Sequence, residues 1–391
     1  MSFQITIPEP SWNSHLANIV LDLEKLRGIR RSEVPPYIFF QLKQIFQMLE
    51  TLGSARIEGN NTTLTEFVER LIENPAPEKK EVRDESRQEL QNLENGIAFI
   101  EEHTTEETKI DRAYISELHR IIVKDLSPPP EGEGSRYAGE LRKSNVTITK
   151  SNHTPPSLAV LAEYFDKFVE FINQSLPATN QLLMVAVAHH CFMHIHPFDN
   201  GNGRMGRLLN YAFLIKLGFN VKAGRIINPS SVFYTDRDKY YEMLGRADSL
   251  SSEDLLAWAE YFLLGLKNQI EKIDSLMHHD YTCDKILLPS LRIALDRQHI
   301  TQQEFDILSF VVKAKDMTIK SADLGKFGFK TSQQKSYAMQ KLRDKGMVRA
   351  IEDGGRIYTI RFANNYLLRS VVQTLKENGF VADFLNQNAV K

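Results

Sequence analysis

Apolar residues recur every three to four positions along most of this chain, while alternation of period two is confined to a few short stretches. Leu42, Ile45, Leu49 and Leu52 mark one buried helical face within residues 12–67, a segment read as helices broken at Val34-Pro35-Pro36. The same spacing returns through Leu90, Leu93, Ile97 and Ile100, and through Tyr114, Leu118, Ile121 and Ile122. Between them the run ENPAPEKKEVRDE, with its prolines and dense charge, predicts an exposed connection over 73–85. Three prolines at 128–130 stop any helix there. Further helices are predicted over 158–171, 180–194 and 208–217, and Trp258, Tyr261, Phe262 and Leu263 lie in another apolar one. Val146, Thr147, Ile148 and Thr149 alternate apolar and polar among β-branched residues, predicting a short strand or hairpin.

After about residue 280 the pattern changes to a helix over 302–312, a short helix over 320–327 and a helix over 331–345. Two short strands over 347–351 and 356–361 flank Asp353-Gly354-Gly355, a strong hairpin signal. The fold class expected is mainly α, with three regions: residues 1–85, 86–280 and 281–391.

Composition narrows the function. With 391 residues there is room for two or three cores. A net charge of −2 and 42% hydrophobic residues show no global pull toward nucleic acid or membrane. Charge is uneven, however: from Thr301 onward fifteen Lys or Arg stand against nine Asp or Glu. Cys191 and Cys283 form no metal-type or redox pair, so free thiols and a reducing compartment are the default. The opening MSFQITIPEPSW has no leader pattern and no apolar run approaches the ~20 residues that span a bilayer, so a cytoplasmic location is expected.

The chemistry concentrates in HCFMHIHPFDNGNGRMGR, residues 190–207. Glycine costs a helix roughly 1 kcal/mol against alanine, so Gly201 and Gly203 fit a place where backbone takes unusual dihedrals or approaches a ligand. Amides opening a helix form an anion site. Arg204 and Arg207 add guanidinium forks suited to phosphate. His196 can exchange a proton near neutral pH. His190 and His194 also form HxxxH, with ligands one helical turn apart, but no glutamate lies inside and no third ligand stands out, so zinc is set aside.

The string from His196 to Arg207 resembles the signature of Fic-domain proteins, most of which transfer AMP from ATP to a protein hydroxyl. Eleven of its twelve positions fit that pattern. The resemblance implies that His196 is the general base, that Asn202 and the amides of Gly201 and Gly203 hold the α-phosphate, and that Arg204 and Arg207 hold the outer phosphates. It also implies Mg²⁺ or Mn²⁺, with one departure: Asn200 stands where the family has a carboxylate ligand, leaving Asp199 as the metal candidate. Ser54-Ala55-Arg56-Ile57-Glu58-Gly59 is by itself a helix end, and it also resembles the family's inhibitory motif, in which Glu58 pairs with Arg207. The resemblance further places a target-docking flap at 146–149, working by strand addition, and sets Tyr240 and Tyr241 beside adenine.

The last hundred residues resemble a winged helix-turn-helix. There Ala338 and Leu342 face inward, while Ser332, Gln333, Lys335, Lys341 and Arg343 are available to DNA; a protein-interaction module fits the same pattern. The expected function is AMP transfer to a Ser, Thr or Tyr hydroxyl of a target protein or of the chain itself, restrained by Glu58, in a homodimer without membrane contact. Two alternatives are AMP removal using Glu58, and a DNA-binding regulator with a nucleotide-sensing core.

Overall fold

A computed structural model describes residues 5–28, 32–73, 84–148, 153–219, 221, 225–363 and 365–386. Its first half is helical: α1 (His15–Gly28), α2 (Pro36–Glu58), α3 (Leu64–Glu73), α4 (Glu85–His103), α5 (Arg112–Val123), α6 (Leu158–Phe171), α7 (Ala178–Ile195) and α8 (Asn202–Lys216). There follow α9 (Ser231–Tyr234), α10 (Arg237–Ala247) and α11 (Ser252–Asp274). Local signals set many ends. Pro36 opens α2 at a position where no amide donor is needed, and Asp84, Asp111, Asp236 and Ser251 cap α4, α5, α10 and α11 through their side chains.

The core is built around α8, buried from Asn202 to Ile215 and packed against α7, α4, α2 and α5. A helix buried on every side shows no polar face, so two arginines enclosed within it must find partners. Trp258 of α11 is fully buried and donates its indole N–H to the Ala186 carbonyl of α7 at 2.7 Å. Gly53 of α2 lies against the ring of Tyr234, where an added Cβ would stand 2.1 Å from Cδ1 and Cε1. Tyr234 is buried and its hydroxyl accepts from Asn228 at 2.7 Å, so the ring has nowhere to go. Gly53→Ala is therefore expected to lower stability by about 1–3 kcal/mol through overpacking, read as a lower denaturation midpoint with unchanged slope.

The C-terminal part contains α12 (His279–Tyr281), a π-helical segment (Thr282–Leu287), α13 (Leu288–Asp296), α14 (Gln302–Lys313), α15 (Ser332–Asp344) and α16 (Leu367–Glu377). Its strands are β1 (Thr318–Lys320), β2 (Val348–Ala350) and β3 (Ile357–Ile360), in antiparallel order β1-β3-β2 with Ile319 opposite Tyr358 and Arg349 opposite Thr359. The pattern predicted β2 and β3, which flank the Asp353-Gly354-Gly355 turn, but not β1, which no such turn joins to its partner β3. The short helix expected over 320–327 is a 3₁₀ helix (Ser321–Phe327). Ala338 and Leu342 are buried, as is Met339, while Ser332, Gln333, Lys341 and Arg343 are exposed and Lys335 half-buried. Gln41 of α2 bonds the Ile360 carbonyl and the Phe362 amide at 3.0 and 2.8 Å, and Arg369 of α16 pairs with Glu69 of α3. No helix among the described residues is long and apolar enough to cross a membrane.

One expectation is corrected. Val146, Thr147 and Ile148 form no strand, and Thr149 lies outside the described residues. β-branched composition favours extended backbone, but a strand also needs a neighbour to pair with, and these three residues have no strand beside them among those described. The exposed connection read at 73–85 falls largely on residues 74–83, also outside the described set.

Candidate functional site

The turn between α7 and α8 brings the signature residues together. His196 closes α7 with φ 50° and ψ 61°, a left-handed conformation that costs a residue with a Cβ about 1–3 kcal/mol. Gly201, at φ 78°, caps α8 in a region open to glycine. The Asn202 amide braces the turn from within: its Oδ1 accepts from the Phe198 N–H at 3.0 Å, and its Nδ2 donates to the Phe198 carbonyl at 2.9 Å. Burial pushes the His196 imidazole down to about 4, against an opposing contribution from the Met193 carbonyl, so the ring is neutral at physiological pH.

Two residues that periodicity did not single out hold this turn. His119 of α5 stacks on Phe198 with centroids 3.8 Å apart and planes at 5°. Its Nδ1 accepts from the Gly139 N–H at 2.8 Å, so its proton sits on Nε2 and is donated to the Asn200 carbonyl at 3.1 Å. Burial pushes this histidine to about 4, preserving the neutral tautomer. Arg142 donates through Nε to the His196 carbonyl at 2.9 Å, and its backbone N–H donates to the Pro197 carbonyl, also at 2.9 Å. His153 Nε2 lies 2.8 Å from the His194 carbonyl. Arg142 and His153 are thus both held by carbonyls at the end of α7.

Arg204 and Arg207, expected to share the task of holding the outer phosphates, go to different partners. Arg204 is fully buried, its Nη1 3.1 Å from Glu89 Oε1 of α4 and its Nη2 donating to the Glu133 carbonyl at 2.6 Å. The Glu89 carboxyl is raised by burial, an effect the Arg204 charge opposes. Arg207 reaches the end of α2, where Nε donates to Ser54 Oγ at 2.8 Å and Nη2 donates to the Ser54 carbonyl at 3.0 Å and to Glu58 Oε1 at 2.7 Å. Burial acts to raise Glu58, but the Arg207 charge and hydrogen bond outweigh it and hold the carboxyl below its ordinary range. Gly59, at φ 112°, ends α2 immediately after.

A built Cβ at Gly203 would stand 2.1 Å from Glu58 Oε1 and 3.2 Å from Arg207 Nη1. The carboxylate therefore rests directly on the first turn of α8, where exposed amides and the helix dipole favour negative charge. Arg207 Nη1 is buried with no hydrogen-bond partner among the described residues. One more anionic oxygen would satisfy it, so the cradle fits a phosphate.

Of the two residues at the metal position, one is a neutral amide and the other a carboxylate braced by hydrogen bonds, as ligating carboxylates are. Asn200 is neutral, its Oδ1 accepts from Gly201 N–H at 2.7 Å and its Nδ2 donates to the Gly134 carbonyl at 3.1 Å. Asp199, the candidate ligand, accepts from the Ser135 hydroxyl with one oxygen and from the Arg136 N–H at 3.0 Å with the other. Tyr240 is buried with its hydroxyl 3.0 Å from His189 Nε2, which places it in the aromatic core beside Phe233 and Trp258. Tyr241 is 42% exposed, with the Arg237 guanidinium over its ring at 5.5 Å from the centroid.

Comparison with known proteins agrees with this architecture. Residues 109–214 match the family model described as Fic/DOC family. The chain is similar to the protein adenylyltransferase Fic of Drosophila willistoni, 29% identical over 196 residues, or 50% of this chain and 36% of that protein. It is likewise similar to that of Drosophila ananassae, 28% identical over 226 residues, covering 58% and 40%. The matched part thus spans little more than a third of these relatives' length. Among solved structures, a Fic family protein from Desulfovibrio desulfuricans aligns at a TM-score of 0.54 with 18% identity, over 90% of this chain and 98% of that one. Fic-1 (aa134–508) from C. elegans aligns at 0.51 with 20% identity, over 67% and 72%. At these identities the likeness is one of fold.

Proposed function

From a chain that carries a Fic/DOC family domain at residues 109–214, we propose a protein adenylyltransferase that moves AMP from ATP to a Ser, Thr or Tyr hydroxyl of a protein and is restrained by its own Glu58. The observation that carries this reading is the Glu58 carboxylate seated on the first turn of α8 and on Arg207, 2.7 Å away. It marks a built anion site and fills it. A terminal phosphate competes for the same guanidinium.

In the transfer, His196 takes the proton of the target hydroxyl and the freed oxygen attacks the α-phosphorus. A new P–O bond forms as the bond to the β-phosphate breaks, and pyrophosphate leaves. The amides opening α8 meet the developing charge on the α-phosphate, and Arg207 holds the outer phosphates. Arg204, neutralised by Glu89 inside the core, acts by fixing the helix that presents those amides. His119 and Arg142 position the turn through the Asn200 and His196 carbonyls. Tyr241 offers its ring to the adenine. A divalent cation would be held by Asp199, the one carboxylate in the turn, and would supply charge to offset the phosphates.

Incubation with ATP labelled at the α-phosphate is expected to leave label on protein, and ATP labelled at the γ-phosphate none. Label from the γ-position alone would show phosphoryl transfer and overturn the assignment. Release of pre-attached AMP that depends on Glu58, without any forward labelling, would instead favour AMP removal.

A further inference from the structure

We propose that His153, His194 and Asp248 form a binding site for a divalent transition-metal ion of the zinc class, separate from the anion cradle. HxxxH at His190 and His194 lacked a third ligand in the linear sequence. The fold supplies two more groups: His153, from the arm preceding α6, and Asp248, at the C-cap of α10.

One nitrogen from each histidine and one carboxylate oxygen lie within 4.8 Å of one another. Tetrahedral coordination at zinc bond lengths sets donors about 3.3 Å apart. His194 Nδ1 stands 3.2 Å from Asp248 Oδ1, and His153 Nδ1 stands 4.0 Å from the same oxygen, so both separations to the carboxylate lie within 1 Å of that spacing. The His153 tautomer suits ligation. Its Nε2 faces the His194 carbonyl, which can only accept, so Nε2 carries a proton and Nδ1, 4.0 Å from Asp248 Oδ1, is the nitrogen assigned to the ion. A ligating histidine is typically oriented in this way by a hydrogen bond from its other nitrogen. His190, almost fully buried, sets its Nε2 3.0 Å from Asp248 Oδ1 and so orients the carboxylate.

The three ligand side chains are 10%, 13% and 21% exposed, enough to admit an ion and leave a position for water. Two imidazoles with a single carboxylate favour zinc-like ions over magnesium, which prefers an all-oxygen shell. Bound there, the ion would fasten the arm to α7 two residues before His196.

The test uses the full chain without nucleotide. Protein stripped with a chelator, exposed to excess Zn²⁺ and desalted is expected to retain near-stoichiometric zinc by elemental mass spectrometry. His153→Ala, on a loop, and Asp248→Asn are each expected to lower zinc affinity at least ~10-fold, and melting curves by circular dichroism check that both stay folded. Anomalous scattering at the zinc edge should place the ion between the three side chains. Zinc retention no greater than in the His153→Ala/Asp248→Asn double variant, or retention that neither single variant changes, would overturn the site. Since the readout is metal content, its failure leaves AMP transfer untouched, and failure of AMP transfer leaves the site untouched.

Discussion

Glu58→Gly is expected to raise the rate of AMP transfer about 100-fold, measured as incorporation of label from α-labelled ATP into protein at saturating nucleotide. The size follows from placement. Glu58 occupies the Nη2 of Arg207 and crowds Gly203, so an incoming terminal phosphate is displaced and the α-phosphorus shifts from the line of attack. An error of ~1 Å in a reacting geometry costs ~100-fold. Removing the carboxylate returns both the guanidinium and the first turn of α8 to the nucleotide. Acid is a poor substitute for the mutation. Because Arg207 holds the Glu58 carboxyl below its ordinary range, the pairing persists above that range and is lost only as the pH falls through the lowered value. Unchanged labelling in Glu58→Gly, with ATP bound equally tightly before and after, would remove the inhibitory role.

His196→Ala, made in the Glu58→Gly background, is expected to cut labelling by ~10²–10⁴-fold, the usual worth of a positioned base, while ATP affinity by calorimetry stays within a few-fold. The separation is the informative part. His196 projects from the end of α7, whereas the anion is held by α8 and Arg207. A loss of ATP binding matching the loss of rate would assign His196 to the cradle instead of to the proton.

Much of the architecture was legible in the chain because its causes are local. The three-to-four residue spacing through Leu42, Ile45, Leu49 and Leu52 became buried positions of α2, and the break read at Val34-Pro35-Pro36 is where α2 begins, at Pro36. Gly201 and Gly59 were readable as sites of left-handed backbone. Val146 to Ile148 misled, since β-branching reports backbone preference and a strand is a relation between two segments. β1 was missed for the converse reason: its three residues are held by pairing with β3.

The candidate site divides the same way. Sequence alone determined that a histidine, a glycine turn and two arginines arrive together at a helix start, because they adjoin one another in the chain. Tertiary structure decided what each does. It sends Arg204 to Glu89 and Arg207 to Glu58, turns Tyr240 into the core, places His119 under the Asn200 carbonyl and gathers His153 and Asp248 beside His194. Periodicity records which face of a helix is apolar. A buried charge takes whichever partner a distant helix brings within ~3 Å, and that choice is settled by packing, where leaving a guanidinium unpaired costs more than any local preference can return.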